Sequence, residues 1–190
     1  MGSAARRLAA DGASVLVHSW SAHDARQAWG AGPDGLVEEI RAQGGRAERA
    51  PADLADPEAP AQSVTAARKA FGHLDVVVAN HSRSSMQNLE QLTATEIGPS
   101  YAVNTGATLL LVQAYATQHD GRPGGRVVVS TSGQYHGAMP GELPYIASKG
   151  ALHELTPSLA VHLAPRASPS TASIPDPTTP GTPTRPPSPP

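Results

Sequence analysis

The sequence predicts an α/β protein with a doubly wound parallel sheet, in which helices alternate with short apolar strands. Three valine-rich runs, "SVLVHS" at 14–19, "LDVVVAN" at 74–80 and "RVVVST" at 126–131, lack the polar alternation of a half-exposed strand. Such strands are typical of a parallel sheet that helices cover on both faces. In a sheet of this kind, ligands bind at the carboxyl ends of the strands.

Helices and strands alternate along residues 1–166, which we expect to form one domain. Apolar residues at helical spacing, such as Leu36, Val37 and Ile40, indicate the helices. The predicted helices are 2–11, 34–45, 56–72, 93–118 and 143–164. The predicted strands are 14–19, 74–80 and 126–131, and residues 46–54 are a weaker strand that leads into a loop. The order opens on a helix where such folds open on a strand, so we expect an incomplete sheet that lacks its first strand.

The composition narrows the class of protein. With 14 lysines and arginines against 16 acidic residues the net charge is −2, which does not favour nucleic acid or an anionic membrane as a partner. The absence of cysteine excludes disulfides and thiolate sites. No apolar run has transmembrane length and the start lacks the apolar stretch of a signal peptide, so we expect a cytoplasmic protein.

Residues 167–190 differ from the rest of the chain. They contain nine of its 19 prolines, with many serines and threonines, and Ile174 is their only large aliphatic residue. Such a segment buries too little apolar surface to offset its ordering entropy, so we expect a disordered tail. We interpret the tail as the product of a shift in reading frame. Codons that are permitted for "STASIPDP" at 170–177 encode Val-Asn-Ser-Ile-His-Pro-Gly when they are read one frame earlier. A proline-rich ligand for SH3-like domains is the alternative interpretation.

Candidate chemistry lies after the last predicted strand. Ser132 follows strand 126–131, while Tyr145 and Lys149 lie one turn apart on one face of the last predicted helix. An ammonium beside a phenol favours the phenolate, which suits a tyrosine to general acid/base work, and Ser132 would hydrogen-bond a substrate carbonyl. Taken alone, a Tyr-x-x-x-Lys pair is more often a surface lysine beside a half-buried tyrosine.

Five segments together resemble the short-chain dehydrogenase/reductase family, across nearly all of residues 1–166. They are "ADLAD" at 52–56, "LDVVVANHS" at 74–82, "YAVNTGATLLLVQA" at 101–114, "GGRVVVSTS" at 124–132 and "YIASK" at 145–149. The resemblance implies a Rossmann-like fold and NAD(P)-dependent hydride transfer between nicotinamide and an alcohol or carbonyl substrate.

The resemblance also implies roles for single residues. Tyr145 is the general acid/base, Lys149 supports it and binds the nicotinamide ribose, Ser132 orients the carbonyl, and Asn104 holds a water in the proton relay. The implied cofactor-binding set is Gly2, Ser19, Asp53, Asn80, Tyr145 and Lys149. No metal site is implied, and the partner is a small alcohol or carbonyl compound.

Position 19 bears on the choice of cofactor. Family members that select NAD have an acidic residue at the end of the second strand, and the matching residue here is Ser19. Without a carboxylate nothing repels a 2′-phosphate, and Arg26 is a candidate to bind it. NADP is therefore favoured over NAD.

Two features depart from the family pattern. Ala79-Asn80-His81-Ser82 replaces its Asn-Asn-Ala-Gly turn, and His81 either contacts substrate or lies on a partly exposed loop. At the start, Gly2 matches only the last glycine of the family's Gly-rich phosphate loop, with Met1 before it. After residue 166 the family has a further strand, where this chain reads "ASPSTASIPDP", so the resemblance implies that the C-terminal strands are missing as well. We therefore expect a chain truncated at both ends, with little or no activity as it stands.

These departures leave a second function open. The alternative to an oxidoreductase is a catalytically inactive member of the family that acts as a binding or oligomerisation subunit. Relatives pair through two long helices, which match residues 93–118 and 143–164, so a homo-oligomer through these helices is implied.

Overall fold

The computed structural model describes residues 2–20 and 33–164, and the predicted alternation of helices and strands is confirmed within them. Met1, Arg26 and the predicted tail at 167–190 lie outside the described residues. The first half contains α1 (Gly2–Ala10), β1 (Val15–Ser19), α2 (Pro33–Ala42), β2 (Ala47–Pro51), α3 (Ala59–Phe71) and β3 (Val76–Ala79). The second half contains α4 (Ala94–Tyr101), a π turn (Ala102–Gly106), α5 (Ala107–Gln118), β4 (Arg126–Val129), a 3₁₀ turn (Gly133–Tyr135) and α6 (Leu143–Leu163).

The four strands form two parallel pairs. β1 pairs with β2, with Ser19 opposite Pro51, and β3 pairs with β4, with Ala79 opposite Val129. Among the described residues the two pairs are not joined to each other, as expected for an incomplete sheet. Because the strands of each pair are parallel, the carboxyl ends of β3 and β4 lie side by side, and the candidate catalytic residues follow them.

The first pair packs against α1 and α2. Leu36, Val37 and Ile40 of α2 are buried against Ala47 of β2, and Val17 of β1 packs on the same cluster. These three α2 residues recur at helical spacing, which is why the segment buries one face. A second cluster joins the loop after β2 to α3 and α5 through Leu54, Ala59 and Ala107.

The second pair is covered on one face by α5. Val77 and Ala79 are buried, and the Tyr115 hydroxyl of α5 donates a 2.8 Å hydrogen bond to the Asp75 carbonyl just before β3. Val76 and Val78, which point to the other face, are each 41% exposed. Within the described part of the chain this face of β3 therefore has no helix over it.

Candidate active site

The candidate catalytic residues follow the carboxyl end of β4, as predicted. Ser132 immediately precedes the 3₁₀ turn with an extended backbone, and Tyr145 is the third residue of α6. Lys149 lies one helical turn after Tyr145, so the two side chains share a face of the helix. Both Ser132 and Tyr145 are half-buried, and neither hydroxyl makes a hydrogen bond to another described residue.

Lys149 is the most buried cation of the site. Its side chain is 3% exposed, and its ammonium donates a 2.7 Å hydrogen bond to the carbonyl oxygen of Ser130. Desolvation lowers the pKa of Lys149 to about 8, because burial penalises the charged form. Lys149 therefore loses its proton more readily than an exposed lysine, although at pH 7 it is still mostly the ammonium form.

Asn80 and Ser130 join the ends of the two strands beside this lysine. The Ser130 hydroxyl donates a 2.7 Å hydrogen bond to the Asn80 side-chain oxygen, and the Ser130 amide continues the β ladder to the Ala79 carbonyl at 3.0 Å. Asn80, which is predicted to bind the cofactor, is therefore connected to Lys149 through Ser130.

Asn104 is completely buried inside the π turn, and its side-chain amide makes three hydrogen bonds within the protein. Its Oδ1 accepts from the Arg83 amide at 2.6 Å, and its Nδ2 donates to the Arg83 carbonyl at 3.0 Å and to the Ser148 hydroxyl at 2.8 Å. Ser148 in turn donates to the Tyr145 carbonyl at 2.8 Å. Asn104 therefore ties the segment after β3 to the helix that carries Tyr145 and Lys149.

His81 lies against the π turn and is partly buried. Its Nε2 is 3.0 Å from the Val103 carbonyl oxygen, so this nitrogen carries the proton and donates. The same nitrogen is 3.3 Å from the Thr108 hydroxyl, which donates to the Asn104 carbonyl at 2.8 Å. Desolvation lowers the pKa of His81 to about 4, against the opposing effect of its bond to Val103. His81 is therefore neutral and serves as a hydrogen-bond donor to the turn.

The end of β1 is contacted by an arginine that the sequence did not indicate. Ser19 is 7% exposed, and its hydroxyl accepts a 3.2 Å hydrogen bond from the Nε of Arg49 on β2. The two residues are 30 apart in the chain, so only the β1–β2 pairing brings them together. Arg26, the predicted phosphate-binding residue, lies outside the described residues, whereas Arg49 lies at the predicted cofactor position.

The other two predicted cofactor residues have local structural roles. The Asp53 carboxylate accepts a 2.9 Å hydrogen bond from the Ala55 amide and so shapes the loop after β2. Gly2 begins α1, where an added Cβ would lie nearest to the Arg6 guanidinium, at 2.5 Å, and then to Leu36, at 3.4 Å.

The described residues form neither a metal-binding cluster nor a membrane-spanning helix. In residues 2–20 and 33–164, no group of three or more His, Asp or Glu side chains is arranged to hold a metal ion. Among those same residues, no helix has the length and apolar character needed to cross a bilayer. The Lys149 ammonium at the Ser130 carbonyl and the Arg49 guanidinium at the Ser19 hydroxyl place one cation near the carboxyl end of β4 and one near that of β1.

Curated relatives match most of this chain. An uncharacterized oxidoreductase of Methylorubrum extorquens is 36% identical over 162 residues, covering 85% of this chain and 62% of its own length. A hydroxynaphthalene reductase of Aspergillus fumigatus is 32% identical over 82% of this chain and 54% of its own length. The chain thus spans somewhat more than half the length of these relatives.

Solved structures show the same likeness. A short-chain dehydrogenase from Burkholderia cenocepacia in complex with NADP is 34% identical with a TM-score of 0.73, over 85% of this chain and 63% of that one. A blue fluorescent protein from a metagenomic library in complex with NADPH is 32% identical with a TM-score of 0.74, over the same shares. The model of the short chain dehydrogenase family itself matches residues 2–175. This chain therefore belongs to the short-chain dehydrogenase family of oxidoreductases.

Proposed function

We propose that the protein catalyses NAD(P)-dependent hydride transfer between an alcohol and a carbonyl compound, with Tyr145 as the general acid/base. The observation that carries this proposal is the buried Lys149 ammonium, held at the end of β4 one helical turn from Tyr145. A cation placed there stabilises the phenolate of Tyr145, which favours transfer of the phenolic proton to the reacting oxygen.

In the reducing direction, the carbonyl substrate receives one hydride and one proton. The nicotinamide cofactor supplies the hydride when bound. Tyr145 gives its phenolic proton to the carbonyl oxygen, while the Ser132 hydroxyl donates a hydrogen bond to that oxygen as negative charge develops. Lys149 holds the resulting phenolate until solvent returns the proton. Alcohol oxidation reverses each transfer.

We propose NADP as the favoured cofactor. The Arg49 guanidinium at the Ser19 hydroxyl supports this choice, because it places a cation where the sequence has no carboxylate to repel a 2′-phosphate. Similar chains in complex with NADP and NADPH also support it.

The proposal is tested by the rate of NADPH consumption with a panel of small aldehydes and ketones. Tyr145→Phe removes only the acidic proton, so we expect turnover to fall by about 10²–10⁴-fold while NADPH binding persists. Tyr101→Phe on the exposed face of α4 is the matched control and should keep the wild-type rate. Equal rates for Tyr145→Phe and wild type would contradict the assignment of Tyr145.

One observation favours the alternative of a non-catalytic binding subunit. The exposed Val76 and Val78 and the two unjoined strand pairs leave apolar sheet surface uncovered in the described part of the chain. A binding subunit would show no saturable NADPH binding, whereas the enzyme proposal requires it. A fluorescence titration with NADPH separates the two.

We also propose self-association through α4–α5 and α6. The surface of these helices carries exposed apolar side chains, including Tyr101 on α4 and Val161 on α6, the latter 76% exposed. Val161→Glu should then shift the protein to a smaller species in light scattering, whereas His162→Glu, at a neighbouring exposed position, serves as the control.

A further inference from the structure

Gln134 reaches from the 3₁₀ turn to the backbone of α6. It lies two residues after Ser132, and its side-chain Nε2 donates a 3.0 Å hydrogen bond to the carbonyl oxygen of Ile146. Ile146 directly follows Tyr145. The bond therefore links the segment that carries the candidate serine to the helical turn that carries the candidate tyrosine.

Gly150 makes this contact sterically feasible. A Cβ at position 150 would lie 2.9 Å from the Gln134 Nε2, closer than side chains tolerate. Gly150 lies one helical turn after Ile146, so the Gln134 amide lies close to both residues. A glycine in a helix interior lowers helix stability relative to alanine. At position 150 that loss accompanies a gain in space for the Gln134 amide.

The other end of the amide is poorly satisfied. The Gln134 Oε1 is buried and has no hydrogen-bond partner among the described residues. A buried unpaired carbonyl oxygen lowers stability, and methionine would fill nearly the same volume without one. Stability alone therefore does not account for a glutamine at this position.

We propose that Gln134 is a positioning residue that fixes the Ser132 hydroxyl relative to the Tyr145 hydroxyl through its bond to Ile146. This inference rests on the proposed oxidoreductase function, since the two hydroxyls must act on one substrate oxygen. Small errors in such placement lower a rate steeply, because the reacting atoms must meet at near-contact distances.

The first test compares steady-state kinetics of wild type and Gln134→Met. We expect kcat to fall by at least about tenfold. The KM for NADPH should not change, since the bond from Gln134 goes to the Ile146 carbonyl and not to a residue predicted to bind the cofactor. The thermal midpoint should stay equal or rise, because the unpaired oxygen is gone. A residue with a merely structural role would show the reverse, a lower midpoint with an unchanged kcat, and that result would overturn the proposal.

The second test keeps Gln134 and fills the space that Gly150 leaves for its amide. Gly150→Ala pushes the amide end off Ile146, so it should reproduce the loss of kcat, whereas in a Gln134→Ala background the added methyl should have no further effect on kcat. Gly98→Ala on α4 is the matched control, since its Cβ would meet nothing within 4 Å. Additive losses from the two substitutions would contradict a shared mechanism.

A third readout does not depend on turnover. The His136 amide donates a 2.8 Å hydrogen bond to the Gly133 carbonyl and closes the 3₁₀ turn, so its hydrogen exchange reports on how firmly the turn is held. Gln134→Met should speed that exchange by at least about tenfold. If wild type consumes no NADPH with any carbonyl and exchange still accelerates, the proposed function fails but the link from Gln134 to the turn stands. Unchanged exchange overturns the link.

Discussion

The Lys149 ammonium donates its 2.7 Å hydrogen bond to a backbone carbonyl, that of Ser130, and none of the described carboxylates forms an ion pair with it. A buried lysine with a neutral acceptor keeps its charge at a cost in desolvation. A ligand that brings oxygen atoms or negative charge to this place would relieve that cost. The relationship between Lys149 and Ser130 therefore marks the point where we expect the ribose and the reacting oxygen to bind.

Lys149 makes stability depend on pH in the alkaline range. Its pKa is about 8 in the folded protein and 10.5 in the unfolded chain, so between these values the unfolded chain binds more protons. The free energy of unfolding should therefore rise from about pH 8 to about pH 10.5, by about 3 kcal/mol at most. Urea unfolding of wild type and Lys149→Met across this range measures the difference, and Lys69→Met, at an exposed position, is the control. Parallel curves for wild type and Lys149→Met would contradict the lowered pKa.

His81 has the corresponding effect in the acidic range. Its pKa is lowered from 6.5 to about 4, so the unfolded chain binds the extra proton first as pH falls. The stability contribution is complete above about pH 6.5 and declines toward pH 4, by about 3 kcal/mol in all. His81→Gln should keep the bond to Val103 and remove this decline, whereas His162→Gln on the exposed face of α6 should not. A decline that persists in His81→Gln would have to come from another group.

Asn104 should be far more important to stability than Asn80. Asn104→Ala leaves the Arg83 backbone and the Ser148 hydroxyl without their buried partner, so we expect a loss of about 2–4 kcal/mol in chemical unfolding. Asn80→Ala removes one bond at an exposed side chain and should cost about 1 kcal/mol. Similar losses for the two variants would argue against the role of Asn104 as the link between the β3 loop and α6.

Ser19 and Arg49 should control the choice of cofactor. Ser19→Asp places a carboxylate beside the Arg49 guanidinium, where it would pair with the arginine and repel a 2′-phosphate. We expect NADPH to bind at least about tenfold more weakly while NADH binding is kept or tightened. Fluorescence titrations with both nucleotides measure this, with Ser158→Asp on α6 as the control. Equal weakening for both nucleotides would place Ser19 outside the adenosine subsite.

The order of elements and the chain positions of the candidate site followed from the sequence, because both depend on local patterns. Valine runs, helical spacing and the Tyr-x-x-x-Lys interval all lie within single elements. The weaker strand expected within 46–54 is Ala47–Pro51, and the loop expected after it is shaped by Asp53, which accepts from the Ala55 amide.

The contacts that assemble the site could not be predicted in this way. Arg49 meets Ser19, Gln134 meets Ile146, and His81 meets Val103, through strand register and helix packing. Each partner lies between 12 and 30 residues away and carries no local signal of the other. The predicted helix at 93–118 likewise concealed the π turn, since one additional residue in a turn leaves no mark on the composition.

The π turn at 102–106 changes the direction in which side chains point along an otherwise continuous helix. An additional residue rotates everything after it by about 100° relative to an unbroken helix. The part before the turn can thus face α6 while the part after it faces α3 and β3. Deleting a single residue from the turn would leave both halves helical yet aim one of them at the wrong neighbour, so the length of this segment is constrained more tightly than its composition.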